Sequence, residues 1–287
     1  MKKKWNKKRY LCITSILLIL VLLLLVICDS RLKTVYYTVT SDKITVPVRI
    51  VLLTDLHSCR YGKNQENLVK EVQKQNPDVV LLGGDIFDDK MPYDNAETAV
   101  CQLAELYPCY YVSGNHEYWS NDIETILGIV KDCGITALSG EGDTITINGQ
   151  TINICGVDDP DVAEYVPDGV PIEQQLVSAE KAAQEAEQVL GTEIFTVLLS
   201  HRPELLETYQ EYDFDLILSG HAHGGQWRIP GILNGLYAPH QGLFPKYAGG
   251  RYDFENGTMI VSRGLAREST PVPRFFNRPE LVIVDIQ

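Results

Sequence analysis

Short runs of apolar residues, each closed by polar ones, recur along the chain from residue 49 onward. Six segments share this pattern: VRIVLLTDLHS, PDVVLLGGDIFDD, PCYYVSGNHEYW, TINICGVDDP, IFTVLLSHRPE and FDLILSGHAHGGQ. Because the runs are short, apolar and often β-branched, they predict strands buried on both faces of a sheet. Between the early runs, residues 64–75 and 96–106 have apolar positions at helical spacing, which predicts a βαβαβ opening and a mainly parallel core.

Further segments surround this core. Residues 29–48 carry alternating β-formers and predict a short lead-in strand, and the final ELVIVDIQ predicts a closing strand. Residues 173–190 have apolar positions at helical spacing and predict a covering helix, for which packing is favoured over a lid role. NGLYAPHQGLFPKYAGGRY, rich in Gly, Pro and aromatic residues, predicts a long loop. Its His240 is interpreted as a loop histidine, with a substrate contact as the alternative.

The first thirty residues form a separate segment. Six Lys and Arg residues precede Leu11–Cys28, an uncharged apolar run of eighteen residues, about the length that spans a hydrocarbon core. A cleaved signal peptide is the alternative, but no small-residue cleavage site follows the run, and Ile27 before Cys28 disfavours a lipoprotein. The predicted organisation is a basic cytoplasmic segment, a transmembrane anchor, a lead-in segment and one globular domain, at residues 1–10, 11–28, 29–48 and 49–287.

The distribution of charge bears on orientation and partners. Cations concentrate before the apolar run, so the positive-inside rule predicts a single-pass protein with a cytoplasmic N-terminus and an extracytoplasmic domain. Beyond the six N-terminal cations the chain has 19 basic and 38 acidic residues, a net charge near −19. A domain this acidic repels polyanions, which disfavours nucleic acid as a partner.

The seven cysteines give a weaker signal. Cys12 and Cys28 belong to the apolar run, and the other five contain no CxxC pair. This set indicates small buried side chains, and it indicates neither a structural zinc site nor a disulfide framework. A single disulfide stays open for a domain outside the cytoplasm.

The polar residues that close the predicted strands are of types that bind metal ions. Each alone is more often a cap, a turn former or a structural histidine, but ligands of parallel sheets collect at the carboxyl ends of strands. Carboxylates, imidazoles and an amide oxygen suit Mn²⁺, Fe²⁺/Fe³⁺ or Zn²⁺. Seven ligands are too many for one tetrahedral ion, so the pattern predicts two divalent ions that share a carboxylate. The candidate residues are Asp55, His57, Asp85, Asn115, His116, His201, His221 and His223.

The ordered series DLH, GGD, GNHE, SH and GHAH resembles the signature of the calcineurin-like metallophosphoesterases. With the apolar helix before it, the chain resembles the membrane-anchored bacterial branch of that superfamily. The resemblance implies an α/β/β/α sandwich and hydrolysis of a phosphate ester or phosphoanhydride by metal-bound hydroxide. It implies one metal held by Asp55, His57 and His223, another held by Asn115, His201 and His221, with Asp85 as the bridge and His116 as the proton donor.

The residues beside these motifs carry further expectations. Glu117 is predicted as a surface carboxylate, with orientation of the His116 ring as the alternative, and Asp88 and Asp89 are predicted as caps. Residues 224–225, both glycine, are expected to bring the backbone close to metal or substrate, with an ordinary turn as the alternative. Three arginines are candidates for binding phosphate or for pairing with carboxylates: Arg263, Arg267 and Arg274.

The resemblance and the residues leave several functions open. Some members of the membrane-anchored branch are compared with UDP-2,3-diacylglucosamine hydrolases, which implies an envelope lipid or a related substrate by analogy. A metal-dependent nuclease or nucleotide phosphodiesterase is disfavoured by the charge. A non-catalytic membrane metal-binding protein is disfavoured by His116, because metal binding alone needs no proton donor. No sequence feature distinguishes lipid from sugar or nucleotide phosphates, or monoesters from diesters.

Overall fold

The computed structural model describes residues 2–267 and 272–287. The chain begins with helix α1, Lys2–Ile27. Its segment Arg9–Ile27 has a mean hydropathy of 3.1 and is the one helix in the described chain long and apolar enough to cross a membrane. The predicted apolar helix is confirmed, but it begins within the basic segment, because lysine and arginine are good helix formers.

Within the described residues, fourteen strands and seven further α-helices follow α1. The strands are β1 (Lys33–Val39), β2 (Val48–Leu53), β3 (Val79–Gly83), β4 (Cys109–Val112), β5 (Thr136–Ala137), β6 (Glu141–Ile147), β7 (Gln150–Gly156), β8 (Phe195–Leu199), β9 (Leu216–Ser219), β10 (Tyr237–Ala238), β11 (Gly242–Leu243), β12 (Gly250–Phe254), β13 (Gly257–Val261) and β14 (Glu280–Ile286). The helices are α2 (Glu66–Gln75), α3 (Asp94–Ala104), α4 (Asn115–Trp119), α5 (Ile123–Asp132), α6 (Val162–Tyr165), α7 (Ile172–Leu190) and α8 (Leu206–Tyr209).

The strands form two six-stranded sheets and one small hairpin. The first sheet has the order β1-β14-β2-β3-β4-β5, and the second has the order β12-β13-β9-β8-β7-β6. In the first, β2, β3, β4 and β5 are parallel, so the predicted βαβαβ opening with helices α2 and α3 is confirmed. The predicted lead-in and closing strands are β1 and β14, which pair in parallel with each other, and β14 pairs antiparallel with β2.

Successive side chains of each strand alternate between the two faces of its sheet. In β2, Ile50 and Leu52 lie in the core between the two sheets, whereas Val51 and Leu53 lie in a second core with residues of α2, α3 and α5. On the outer face of the second sheet, Leu198 lies in a third core with residues of α7 and α8. The fold is therefore the expected α/β/β/α sandwich.

Helix α7 is the predicted covering helix. Leu176, Ala179 and Ala183 are buried and the helix contacts β6 and β7, so it packs on the second sheet as favoured. The prediction of one long loop over residues 234–252 is wrong in part. Tyr237 and Ala238 pair with residues of β11 to form a short hairpin, and β12 begins at Gly250.

The structure contains one disulfide among the described cysteines, which joins Cys101 of α3 to Cys133 just after α5. The sequence left a single disulfide open without identifying its partners. The prediction of small buried side chains is confirmed for Cys59, Cys109 and Cys155. Burial raises the pKa of the Cys109 and Cys155 thiols to about 12, so both stay protonated at neutral pH.

Candidate metal centre

All eight predicted site residues follow strands of the two sheets, and the structure brings strand ends of both sheets together. Seven of the eight are at most 6% exposed, and the side chain of the eighth, His116, is 20% exposed. The first sheet contributes residues after β2, β3 and β4, and the second contributes residues after β8 and β9. The seven buried residues are Asp55, His57, Asp85, Asn115, His201, His221 and His223.

Two groups of potential ligand atoms share Asp85. In the first group, Asp85 lies with Asp55, His57 and His223, and one ligand atom of each lies within 4.8 Å of the others. In the second group, Asp85 lies with His201 and His221 by the same criterion. Asp85 Oδ2 is 3.1 Å from His201 Nε2 and 3.6 Å from His57 Nε2. A carboxylate in this position can contact two neighbouring cations.

Several potential ligand atoms are buried without a hydrogen-bond partner. They are Asp55 Oδ2, His57 Nε2, Asp85 Oδ2 and Asn115 Oδ1. A buried polar atom without a partner is costly, and such atoms are rare in folded proteins. These four converge from three strand ends, and they are oxygen and imidazole donors suited to Mn²⁺, Fe or Zn²⁺. The donor set therefore fits the two divalent ions expected from the sequence.

The backbone at the centre adopts an unusual conformation. Five of the seven buried residues have positive φ angles, between 47° and 64°. Residues other than glycine rarely adopt this conformation, and it occurs at functional sites where the surrounding fold enforces it. The five residues are Asp55, His57, Asp85, His221 and His223.

Hydrogen bonds fix the rings of two histidines. His57 Nδ1 lies 3.0 Å from Asp88 Oδ2, and His201 Nδ1 lies 2.8 Å from the carbonyl oxygen of Gly83. Because both partners can only accept, each Nδ1 is the donor, and each Nε2 is the nitrogen that offers a lone pair when its ring is neutral. Asp88 also accepts from the backbone N–H groups of residues 90 and 91. These bonds close a local turn and do not cap helix α3, which begins at Asp94, so the predicted helix cap is wrong and the contact with His57 was missed.

His116 lies at the open edge of the centre. Its Nδ1 is 2.7 Å from Asp89 Oδ1, and its backbone N–H donates to Asp85 Oδ1 at 2.9 Å. Its ring contacts His57 edge to face, with centroids 4.3 Å apart, and lies 4.8 Å from the ring of Trp119. Asp89 was expected only as a cap. Because its carboxylate occupies His116 Nδ1, Nε2 is the ring nitrogen available for proton transfer.

Both expectations for Glu117 are wrong. Its side chain is fully buried and accepts hydrogen bonds from the backbone N–H groups of Asp85, Ile86, Phe87 and Gly114, at 2.8 to 3.0 Å. Burial, together with the nearby Asp85 charge, raises the pKa of Glu117 to about 7. Glu117 thus holds the backbone after β3 against that after β4, and the ring of His116 is oriented by Asp89.

The buried charges influence one another strongly. Burial raises the pKa of Asp85, but the neighbouring imidazoles of His201 and His116 outweigh burial and hold it well below its usual range. Burial lowers the pKa of His201, but Asp85 raises it to about 10. Burial is also the main cause that lowers the pKa values of His221 and His223. These two rings are therefore neutral and can offer lone pairs.

A second cluster adjoins the centre on the side of His221. While His221 Nδ1 lies 3.2 Å from His201 Nε2, its Nε2 lies 3.0 Å from His240 Nδ1. His240 Nδ1 also lies 2.6 Å from Arg202 Nη1, and the Arg202 guanidinium binds both oxygens of buried Asp159. The sequence interpretation of His240 as a loop residue missed this contact, because the hairpin that carries it was not predicted.

The two glycines after His223 form the turn that was the alternative expectation. Gly224 and Gly225 have φ angles of 62° and 63°. A Cβ would lie 2.3 Å from Asn277 Oδ1 at the first position and 2.3 Å from Gly235 Cα at the second. The missing side chains therefore make room for the packing of other segments of the chain.

The three candidate arginines differ in their surroundings. Arg263 pairs with buried Glu280 at 2.7 Å, as the carboxylate alternative predicts. Arg267 lies over the Tyr61 ring at 5.1 Å. Arg274 is buried and donates to the Arg263 carbonyl at 2.7 Å, whereas Arg267 is exposed.

The chain belongs to the calcineurin-like phosphoesterases, since that family matches residues 48–225. The resemblance in the sequence is therefore confirmed, and members of this family are metal-dependent hydrolases of phosphoesters. Among similar proteins, an uncharacterized metallophosphoesterase of Campylobacter jejuni is 30% identical over 95% of this chain and 69% of its own length. A transmembrane protein with metallophosphoesterase domain from Danio rerio is 29% identical over 82% of this chain and 52% of its own length.

Solved structures support the same fold. The NAD nucleotidase of Haemophilus influenzae superposes with a TM-score of 0.51 at 18% identity. The match covers 77% of this chain and 46% of that one, so the present chain spans less than half the length of that protein. At this identity the likeness is one of fold.

Proposed function

We propose that the chain is a dinuclear phosphoesterase in which Asp55, His57 and His223 hold one divalent ion and Asn115, His201 and His221 hold the other, bridged by Asp85. The observation that carries the proposal is the shared position of Asp85 in two groups of buried ligand atoms. The partnerless ligand atoms support it as well. Two bound divalent ions would supply Lewis acidity, an activated water and neutralisation of phosphoryl charge.

His116 is the proposed general acid. The hydrogen bond to Asp89 occupies Nδ1, so Nε2 can give its proton to the leaving oxygen of the ester. The backbone N–H of His116 donates to Asp85, which holds the ring at a fixed position beside the metal ligands. A protein that only binds metal has no need of this arrangement, which favours an enzyme over a non-catalytic metal-binding protein.

Metal content and turnover test the proposal together. The full-length protein would be stripped with a chelator, reloaded with Mn²⁺, and assayed on 4-nitrophenyl phosphate and bis(4-nitrophenyl) phosphate. We expect about two ions per chain and hydrolysis that requires them. Asp55→Asn should lower metal content, whereas Asp122→Asn, an exposed carboxylate, is the control. Failure to retain metal, or the same rate with and without Mn²⁺ on both esters, would refute it.

We also infer that α1 anchors the protein with the domain outside the cytoplasm, in the four-part organisation expected from the sequence. The hydropathy of α1 and its preceding cations support this orientation. The Cys101–Cys133 disulfide supports it independently, because disulfides persist in oxidising compartments. A reporter that is active only outside the cytoplasm, fused after Gln287, should be active. Activity of a cytoplasm-only reporter at the same position would reverse the inference.

The substrate is proposed as a phosphoester or phosphoanhydride of the cell envelope, such as a lipid or a UDP-diacylglucosamine-like molecule. The acidic domain supports this choice over nucleic acid, because like charges repel. The inferred anchor supports it too, since it would hold the metal centre close to envelope molecules.

A further inference from the structure

One stretch of this acidic chain contains no acidic residue at all. Between Asp215 and Asp253, residues 216–252 include no Asp or Glu but contain Arg228, Lys246 and Arg251. The stretch begins at β9 and ends in β12. Directly after β9 it contains the loop that carries His221 and His223, which we call the metal-site loop. It is the part of the domain whose charge is compatible with an anionic membrane surface.

This stretch also exposes large apolar side chains. Trp227 is 40% exposed, Ile229 is 48% exposed and Ile232, in the turn after Ile229, is 84% exposed. Trp227 stacks on Phe275 with ring centroids 4.9 Å apart, and its Nε1 donates to the Pro273 carbonyl at 3.0 Å. A tryptophan with a satisfied N–H and an exposed ring is typical of membrane interfaces.

The exposed residues continue onto the end of α1. A cleft of about 420 Å³, which we call the juxtamembrane cleft, is lined on one side by Leu24 and Ile27 of α1 and on the other by Trp227, Ile229, Leu233 and Phe276. The backbone N–H of Phe276 donates to the carbonyl oxygen of Ile27 at 2.7 Å. If α1 spans the bilayer, the cleft therefore lies where the helix leaves it.

The same stretch is hydrogen-bonded to the metal-site loop. The carbonyl oxygen of Gly225 accepts from the backbone N–H groups of Trp227 and Leu236, at 2.7 and 2.9 Å. Asn277 Nδ2 donates to the carbonyl oxygens of His223 and Gln226, at 2.7 and 3.1 Å. A surface that binds residues 227–236 and fixes their position therefore also fixes the position of His223.

We propose that the juxtamembrane cleft and the turn at Ile232 are seated in the outer leaflet of the membrane that holds α1, with a lipid acyl chain in the cleft. The metal centre then faces phosphoesters at the bilayer surface, so the substrate class is a lipid phosphoester. This statement of substrate class rests on the proposed function. The seating itself rests on the apolar surface, on the absence of Asp and Glu from residues 216–252 and on continuity with α1.

Fluorescence tests the seating without any turnover. The chain has three tryptophans, so the full-length variant W5F/W119F retains only Trp227. It would be placed in nanodiscs of phosphatidylglycerol and phosphatidylcholine with brominated acyl chains, which quench only groups within the bilayer. We expect loss of Trp227 emission on bromination and little quenching by aqueous acrylamide. The variant W5F/W227F is the matched control, because Trp119 is similarly exposed, at 36%, but lies at the metal centre.

Two outcomes would overturn the seating. Trp227 emission that acrylamide quenches and brominated lipid does not would show that the surface faces water. Emission protected from both quenchers would show that protein, such as a second copy of the chain, covers it. Ile232→Glu should make the quenching of Trp227 more like that of Trp119, with less quenching by brominated lipid and more by acrylamide. Val189→Glu on α7, also at an 84% exposed site, should leave quenching unchanged.

Paired substrates test the lipid class. Phosphatidic acid in nanodiscs is compared with glycerol 3-phosphate, and hexadecyl with ethyl 4-nitrophenyl phosphate, so that each pair shares its phosphoester chemistry. We expect Ile232→Glu to lower the ratio of lipid to soluble hydrolysis by about tenfold, because a charge opposes entry into the leaflet. An unchanged ratio would reject the lipid class. No hydrolysis of any ester would count against the proposed function, while the fluorescence would still decide the seating.

Discussion

The two halves of the metal centre are supported by opposite charges. On the side of the first sheet, the ring of His57 donates to the buried carboxylate of Asp88. On the side of the second sheet, Arg274 lies 3.5 Å from His223 Nδ1, and Arg202 contacts His240, the partner of His221. The first half is thus backed by a carboxylate, and the second by guanidinium groups together with Glu204, whose Oε1 lies 4.0 Å from His221 Nε2.

This difference changes the protonation of the rings. Burial lowers the pKa of His57, but the hydrogen bond to Asp88 outweighs it, and the net shift is upward. For His221 and His223, burial and the neighbouring cations act in the same direction and lower the pKa. The first half therefore carries negative charge that can compensate two dications, and in the second half His221 and His223 supply neutral lone pairs. Asp85 is the residue that belongs to both ligand groups.

The largest effect is expected from changing the one residue that the two ligand groups share. Asp85→Asn removes the charge of the one ligand that can touch both ions, so metal content should fall from two towards one per chain and turnover by several orders of magnitude. Metal analysis and steady-state rates on both nitrophenyl esters measure this. Asp122→Asn is the control. Two ions retained with near-normal rates would remove Asp85 from the bridge.

The next effect separates chemistry from metal binding within the first half. His116→Ala should leave two ions bound and slow hydrolysis by about 10² to 10⁴, the usual contribution of a general acid. The loss should be smaller for an ester whose leaving group is a phenolate, because that group needs little protonation. Equal losses on phenyl and alkyl esters, or loss of an ion, would mean that His116 orients the phosphate or holds the site together.

The fold and the clustering of the candidate ligands could be predicted from the sequence, because both depend on local patterns. Buried strands appear as apolar runs, and site residues stand directly behind them. The supporting residues were missed because their roles depend on distant partners. Asp88 and Asp89 have ordinary capping positions in the sequence, and Glu117 shows no sign that it receives N–H groups from residues 85–87. The contact of His240 with His221 requires a hairpin that the sequence does not signal.

A smaller effect is expected when a supporting carboxylate of the first half loses its charge. Asp88→Asn keeps the size of the side chain but weakens the acceptor for His57 Nδ1, so the affinity for the ion bound by His57 should fall about 10- to 100-fold. Titration of the metal-free protein with Mn²⁺ gives this value. Excess Mn²⁺ should restore most of the activity. A loss that saturating metal does not relieve would place Asp88 in the chemistry.

The smallest effect is expected for the corresponding support in the second half. His240 Nδ1 lies 3.0 Å from His221 Nε2, just as Asp88 lies beside His57 Nδ1. The His240 side chain is 47% exposed, however, whereas that of Asp88 is 5% exposed. Water can replace a half-exposed partner, so His240→Ala should weaken Mn²⁺ binding by less than about fivefold. The same titration compares both variants directly. If His240→Ala costs as much as Asp88→Asn, the second half depends on a specific partner as strongly as the first, and the asymmetry between the halves would be limited to their charge.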